Sequence, residues 1–245
     1  MIKKIIKILL PVVLILFLII VYLSTFGIKT NKFNNQINKS ILKIDDKINL
    51  NLNEVAYLLN IYDFSINVTA KNTQVLIEDS EIDINRINTN VSLKSLINKQ
   101  FSIDDLQIST AEIKLNDLVL LIRTVRNTPK LFILNTIIKD GIIELDININ
   151  FDSQGRVKDN YQIKGLIKNT RLNLLNKSSV KDLNFLFDIT RNKYSLSKID
   201  ALFNKFKFNS PLIQIREKKD LYLVEGNLLT KDQKLEGKDL KLIFG

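Results

Sequence analysis

Histidine, cysteine and tryptophan are absent from this chain of 245 residues, methionine occurs once, and there are only 7 glycines and 3 prolines. Without histidine or cysteine there is no Ser-His-Asp or Cys-His nucleophile system, no imidazole- or thiolate-held zinc, no disulfide, and none of the commonest general base near neutral pH. So few glycines leave no P-loop, GxGxxG turn or other glycine-rich phosphate cradle. What remains for chemistry is carboxylates and lysines. Asp45-Asp46 and Asp104-Asp105 are adjacent pairs, but neighbours on a strand point to opposite faces and cannot share a site, so they read as solvated turn residues. Asn150, Asp152 and Gln154 before Gly155 resemble the opening of a calcium loop, yet Tyr161 stands where the bidentate glutamate belongs, and a hairpin turn is the better reading. No catalytic, cofactor-binding or metal residue is nominated, no cofactor is implied, and an enzyme is not expected.

Scarce glycine and proline with 45% hydrophobic residues also exclude a low-complexity or disordered chain. The excess of Asn, Ile and Lys is discounted as the codon bias of an AT-rich genome. The net charge is +10, but the basic residues are interleaved with acidic ones, as at Asp104, Asp105, Glu112, Lys114 and Asp117. No basic helix carries interleaved aromatics, so nucleic acid is not an expected partner.

One long apolar run exists. Ile5 to Phe26 holds 22 residues with a single charge, Lys7, near its start; as a helix it would be ~33 Å long, enough to span a bilayer. Pro11 falls in its first turns, where a lost hydrogen bond is tolerated. Lys3, Lys4 and Lys7 place its N-terminal end in the cytoplasm and everything after Gly27 outside, although Lys29 and Lys32 reduce the asymmetry. A cleaved signal peptide is the competing reading. The run exceeds the ~7 to 15 residues of a secretory apolar core, and Ser24-Thr25-Phe26 offers no small-x-small site, which favours an uncleaved anchor. The expected organisation is a transmembrane anchor over 1–27, a polar juxtamembrane linker or helix over 28–43, and a β-domain over 44–245.

Beyond the linker the apolar residues recur with period two. Phe64, Ile66 and Val68 alternate with polar residues, as do Ile82 with Ile84, and Val91 with Leu93. Ile143, Leu145, Ile147, Ile149 and Phe151 form a five-member row, Leu183, Phe185, Phe187 and Ile189 another, and Phe206 with Phe208 and Ile213 with Ile215 make shorter ones. Such rows predict antiparallel strands with one wet face. Turns are predicted at Asp152-Ser153-Gln154-Gly155, Arg191-Asn192-Lys193 and Glu217-Lys218-Lys219-Asp220, so that successive strands are joined by hairpins. Leu118, Leu121, Ile122 and Val125 instead recur at helical spacing behind Asn116, an expected N-cap, and stop before Pro129. A weak repeat aligns Phe101 through Leu115 with Tyr194 through Phe208, with a looser copy over Phe132, Leu134, Ile137, Ile143 and Leu145; any two amphipathic strand pairs would align nearly as well.

The N-terminal anchor followed by IIKDGIIELDININFDSQGRV, YQIKGLIKNTRLNLL and LNFLFDITRNKYSLSKIDALF resembles the AsmA-like family, the group of AsmA, YhdP and TamB. Asp140-Gly141, Leu145-Asp146, Phe151-Asp152, Gly155 and Gly165 sit where that family's strand pattern wants them. The resemblance implies a mainly β fold: the N-terminal transmembrane helix followed by an elongated, folded-over, groove-like antiparallel β-sheet with one or two short helices. It also implies a single-pass protein of the bacterial inner membrane, its C-terminal domain in the periplasm, that binds or conducts phospholipid toward the outer membrane. Its partners would then be phospholipid, the inner membrane and outer-membrane or envelope proteins. Members are commonly longer, and the chain stops at Leu242-Ile243-Phe244-Gly245 within an apparent strand, so continuation in a longer protein is expected. Ile143, Leu145, Ile147, Ile149, Leu183, Phe185, Phe187 and Ile189 are the candidate groove lining. The same rows would equally pack as a sandwich core. Phe187→Asp is expected to leave a folded, membrane-inserted protein that loses bound lipid, whereas a packed core would predict severe destabilisation. The alternative function is an assembly factor scaffolding outer-membrane or secretion components by strand addition.

Overall fold

The computed structural model describes residues 2–42, 47–77, 80–98, 100, 102–174, 178–204, 206–218 and 221–230. Asp45-Asp46, Phe101, Lys219-Asp220 and the terminal Leu242–Gly245 lie outside the described residues. The fold is mainly β, every strand pair in it is antiparallel, and the chain divides into two compact units: Met1–Ala111 with Leu145–Gln162, and Glu112–Glu144 with Ile163–Gly245.

The first unit opens with helix α1 (Ile2–Thr25). Its side chains are described from Leu9 onward, and among the described residues no helix is long and apolar enough to cross a membrane. Gly27 then turns the chain into strand β1 (Ile28–Thr30) at φ 66°, and a Cβ there would meet the Tyr57 carbonyl at 2.5 Å. Both facts reserve the position for glycine. Helix α2 (Asn34–Leu42) and strands β2 (Ile48–Asn51), β3 (Val55–Asn60), β4 (Ser65–Ile77) and β5 (Ser80–Ser92) follow. The stretch read as a linker thus supplies β1, which pairs with β3. Helix α3 (Leu93–Ile97) starts on Ser92, whose hydroxyl accepts from the Ser95 amide at 3.2 Å, so Leu93 is helical and does not continue the strand alternation. Phe64 likewise sits in the turn before β4, at φ 49°. Strand β6 (Ile103–Thr110) contains Asp104 and Asp105, which corrects their reading as solvated turn residues: Asp105 is buried and accepts from the Asn90 amide at 3.1 Å. The strand order of this unit is β1-β3-β4-β5-β6-β8, completed by the C-terminal half of β8 (Ile138–Asn150).

The second unit begins with β7 (Ile113–Lys114), α4 (Leu115–Val125) and α5 (Pro129–Ile137). The expected helix is α4, but its N-cap is Lys114, without a side-chain bond, and Asn116 lies inside with its Oδ1 buried and unpartnered among the described residues. The second helix is a correction: Phe132, Leu134 and Ile137 belong to α5, so no third strand-turn-strand copy exists there. Thr128 caps it through the Leu131 amide and Pro129 opens it, a start signal that outweighs the β-prone side chains. The N-terminal half of β8 then leads the order β8-β9-β10-β11-β12-β13, with β9 (Gln162–Asn173), β10 (Ser179–Thr190), β11 (Lys193–Phe203), β12 (Phe206–Lys218) and β13 (Leu221–Gly226); β14 (Leu229–Thr230) pairs with β12. The hairpin turn expected at Arg191-Asn192-Lys193 is formed by Arg191-Asn192, and Lys193 already pairs with Thr190 as the first residue of β11. At Asp152 the carboxylate accepts from the Gln154 and Arg156 amides at 2.9 and 3.0 Å. These bonds, led by the Arg156 amide, hold the Asp152 carboxyl below its usual range.

Most long strands slip phase once. In β4 the inward residues are Ile66, Val68 and Ala70, then Thr73 and Val75, with exposed Lys71 and Asn72 between. In β5 they are Ile82 and Ile84, then Ile87 and Thr89, with exposed Asn85 and Arg86 between. Strand β10 changes phase at Lys181 and Asp182, β11 at Lys198, and β12 at Pro211 and Leu212, which unites Phe206, Phe208, Ile213 and Ile215 in one strand. At four of the slips one residue is left-handed, Asn72 (φ 49°), Asn169 in β9 (φ 50°), Asp182 (φ 49°) and Lys198 (φ 52°), whereas β5 and β12 slip without one. One such residue rotates the chain so that the next apolar side chain returns to the buried face. Asn and Asp tolerate the conformation best. Partner strands slip together, Asn72 opposite Asn85 and Lys198 opposite Pro211, so the registers of β4 with β5 and β11 with β12 stay unbroken. Backbone groups freed at these points are taken by asparagines. The Asn184 side chain accepts from the Asn169 amide at 2.9 Å and donates to the Asp182 carbonyl at 2.7 Å, and Asn53 donates to the Asn72 carbonyl at 2.9 Å. Lys-Asn-Thr recurs at Lys71-Asn72-Thr73 and Lys168-Asn169-Thr170, each time with the threonine buried, at 0% and 1% exposure.

Replacing Asn169 with glycine should change stability by less than about 1 kcal/mol, because glycine accepts the left-handed conformation. Asn169→Val should cost about 1 to 3 kcal/mol. Thermal unfolding of the detergent-solubilised chain checks both, and equal effects of the two would show that the conformation is not what matters.

Candidate functional site

The slips leave each unit with an apolar band running across its strands. In the second unit the register aligns Gly165, Phe187, Leu196, Ile213 and Gly226 on β9 through β13, and beside them Ile163, Ile189, Tyr194, Ile215 and Val224. Five strands at ~4.8 Å spacing make this band about 19 Å wide. The intervening row, Lys164, Asp188, Ser195, Gln214 and Glu225, is polar and belongs to the opposite face. Most band residues are half-buried, and at its β13 end Val224 is 61% exposed.

The first unit repeats the arrangement. Val55, Ala70, Ile87, Ile108 and Ile147 form one row across β3, β4, β5, β6 and β8, and Tyr57, Val68, Thr89, Leu106 and Ile149 the next. Its other face carries a ladder of side-chain hydrogen bonds, Asn67 Nδ2 to Asn90 Oδ1 at 3.0 Å and Thr69 Oγ1 to Asn88 Oδ1 at 2.8 Å. Burial raises the pKa of Tyr57, whose ring meets Phe33 edge-on at 5.6 Å.

The eight expected lining residues divide between the two units. Leu183, Phe185, Phe187 and Ile189 share the inward face of β10 in the second unit, where Ile143 is also buried, opposite Ile113. Leu145, Ile147 and Ile149 belong to the first unit's half of β8. Phe187 differs from its neighbours. It is 8% exposed, and a Cβ on Gly165 would lie 2.4 Å from its ring, so the aromatic fills the space above that glycine. Phe185, with its ring centroid 6.2 Å from that of Phe187, remains half-buried with Leu183 and Ile189. Ile163, Tyr194, Leu196, Ile213 and Ile215 are band members that the strand rows alone did not nominate; only the register shows that they are coplanar with β10.

Two polar features lie apart from the bands. A cavity of ≈ 510 Å³ in the first unit is walled by Lys29, Asn31, Asn34, Asn53 and Glu54, and Asn34 Nδ2 donates to the Leu52 carbonyl at 2.8 Å. Such a wall suits water better than an acyl chain. In the second unit Lys168 bridges Glu112 at 2.9 Å and Glu144 at 2.5 Å. Its hydrogen bond holds the Glu112 carboxyl below the usual range, and the bonds to Glu144 and Glu112 hold the Lys168 ammonium above its own. A lowered acid stabilises above the ordinary carboxylate range and loses this as pH falls through its folded pKa. A raised lysine stabilises below the ordinary lysine range and loses this as pH climbs through its folded pKa. The contribution of Glu112 and Lys168 is therefore fully present from about pH 5 to about pH 10. All three groups are solvent-accessible, so the effect on stability is small.

Burial of Phe187 replaces the expectation that Phe187→Asp leaves a folded protein: an unpaired charge there should cost several kcal/mol, on the order of 3 or more. Phe185→Asp and Ile189→Asp should be milder, with thermal unfolding ranking the three variants. In Lys168→Met, the Glu112 titration followed by carboxyl-carbon NMR should move up toward an ordinary glutamate. Compared with protein-family models, with characterised proteins and with solved structures, the chain finds no match.

Proposed function

We propose that this chain is a single-pass membrane protein of the bacterial envelope, with α1 as its anchor, a periplasmic β-region, and phospholipid acyl chains as the ligand of its apolar bands. The observation that carries the reading is the band across β9 to β13: ten aligned positions, eight of them large apolar or aromatic and two glycine. The bands need no catalytic group. An exposed acyl chain costs ~0.8 kcal/mol per CH₂, or about 12 kcal/mol for sixteen carbons, and a continuous apolar strip removes most of that cost without any hydrogen bond. Half-buried side chains such as Phe185 and Ile189 fit this role, because they keep surface to offer.

The anchor rests on composition and exposure together. Ile5 to Phe26 carries one charge, and Leu10, Phe17 and Leu18 of α1 are 57–70% exposed, which water would penalise and lipid would not. Lys3, Lys4 and Lys7 favour a cytoplasmic N-terminus by the positive-inside rule, and so a periplasmic β-region. Kinship with the AsmA-like family, and transport toward the outer membrane, belong to the same proposal. An assembly factor is the second reading, supported by β13, whose Leu221 and Tyr222 are exposed at 75% and 63% on a strand that ends the hydrogen-bonded order of the described residues.

Native mass spectrometry of the full chain, extracted gently from membranes, should find phospholipid bound, and Ile189→Asp should lose it while the protein stays folded and membrane-bound. A lipid-free chain that instead carries a stoichiometric protein partner would favour the assembly reading.

A further inference from the structure

The first unit has one strand end at which four separate segments meet. The hairpin from β3 to β4 closes there with Asn60 opposite Ser65, Ser65 is in turn opposite Ser92, and Ser92 leads directly into α3. The Ser92 amide reaches the Ser102 carbonyl at 2.7 Å, and beyond β6 the Phe151 amide reaches the Asp104 carbonyl at 2.9 Å, which brings in the loop after β8. Strand β1 runs antiparallel to β3 with Ile28 opposite Tyr57 and Thr30 opposite Val55, so the chain enters from α1 on this same side.

The side chains displayed at that end are of an unusual kind. Tyr62, at the tip of the β3–β4 turn, is 99% exposed; Phe26 is 76% exposed, Ile97 71%, and Leu96, Phe64 and Val157 are each more than half exposed. Singly, an exposed apolar residue needs no explanation. Here they come from α1's exit, a turn, a short helix and a loop, and all lie at one end of one unit. Charges among them have both signs: Lys94 and Lys158 stand with Asp63 and Asp104, and Arg156 is paired with Asp152 at 2.8 Å.

We infer that this end of the first unit docks on the membrane surface, its aromatic and aliphatic tips immersed at the level of the lipid headgroups. The inference rests on the reading of α1 as an anchor. Continuity selects the occupant, because the residue that leaves α1 is followed within one turn by the strand that defines this end. Amphipathic Tyr beside Phe, Leu and Ile is the composition of a bilayer interface. Mixed charge makes the attachment apolar, so it should survive salt.

The absence of tryptophan makes the test direct. In the full chain reconstituted into vesicles of phosphatidylethanolamine and phosphatidylglycerol, Tyr62→Trp should emit at shorter wavelength than in water and lose most of its emission to brominated lipid. Glu81→Trp should not respond, because Glu81 lies at the far end of β4 and β5, about 40 Å away along a 13-residue strand. Quenching at position 62 should persist in high salt. No quenching at 62, equal quenching at 62 and 81, or loss of quenching in salt would each overturn the docking. Retention of the chain on vesicles through alkaline carbonate is a separate readout. Retention without quenching would keep the anchor and reject the docking, and quenching without retention would reject the anchor and keep the docking.

Discussion

A β-strand keeps one face dry only while its side chains alternate without fault, and the long strands here are built from sequences that fault once each. The left-handed residue at the faults of β4, β9, β10 and β11 is therefore the constraint on which the rest of the structure depends. With Asn72, Asn169, Asp182 and Lys198 in the ordinary β region, every apolar residue on one side of each fault would face water. The cost of an unfavourable backbone conformation, on the order of 1 to 3 kcal/mol at each site, is set against several apolar side chains per strand. Gly141, at φ 146°, belongs to the same set: a Cβ there would meet the Thr170 hydroxyl at 2.3 Å, the threonine that follows the fault in the neighbouring strand.

Much of this was legible in the residues, and the remainder was hidden for identifiable reasons. The rows on β8 and β10, the Arg191-Asn192 hairpin and the α4 helix follow from period two, turn residues and period 3.6, all local signals. The fault positions were also written there, as doubled polar residues such as Lys71-Asn72 and Asn85-Arg86, but a doubled polar pair looks like the end of a strand unless its partner faults opposite it. Phe206 with Phe208 and Ile213 with Ile215 were read as separate strands for that reason. Asparagine, set aside as genomic bias, caps freed backbone groups at the faults and forms the side-chain ladder between β4 and β5. Helix α5 is hidden because Phe132 and Ile133 are strand-prone and Pro129 reads as the stop of the preceding helix, whereas with Thr128 it is the start of the next. Asp105 was misplaced because an aspartate pair suggests a turn, whereas its burial depends on β5 lying beside it.

The distinction between Phe187 and Phe185 bears on how a lipid-binding sheet can also be a stable one. Phe187 spends its surface on Gly165 and belongs to the packing, whereas Phe185, two residues away on the same face, keeps part of its surface available. A band composed of both kinds of residue holds its strands together without saturating its own apolar surface. Nine of the ten positions carry no side-chain hydrogen-bonding group, Tyr194 being the tenth, which fits a ligand recognised by its hydrocarbon and not by its head.

Where a strand carries a left-handed residue, as β4, β9, β10 and β11 do, it corrects its own phase and presents the same face whatever precedes it. Such a strand is a transferable cassette. A hairpin of two strands with opposed faults, as β4 with β5 or β11 with β12, could be duplicated or deleted by recombination without turning its neighbours inside out. The two Lys-Asn-Thr segments have the form expected of such copying. Selection on a protein built this way would act on the number of hairpins as readily as on individual residues, and relatives would then differ more in length than in cross-section.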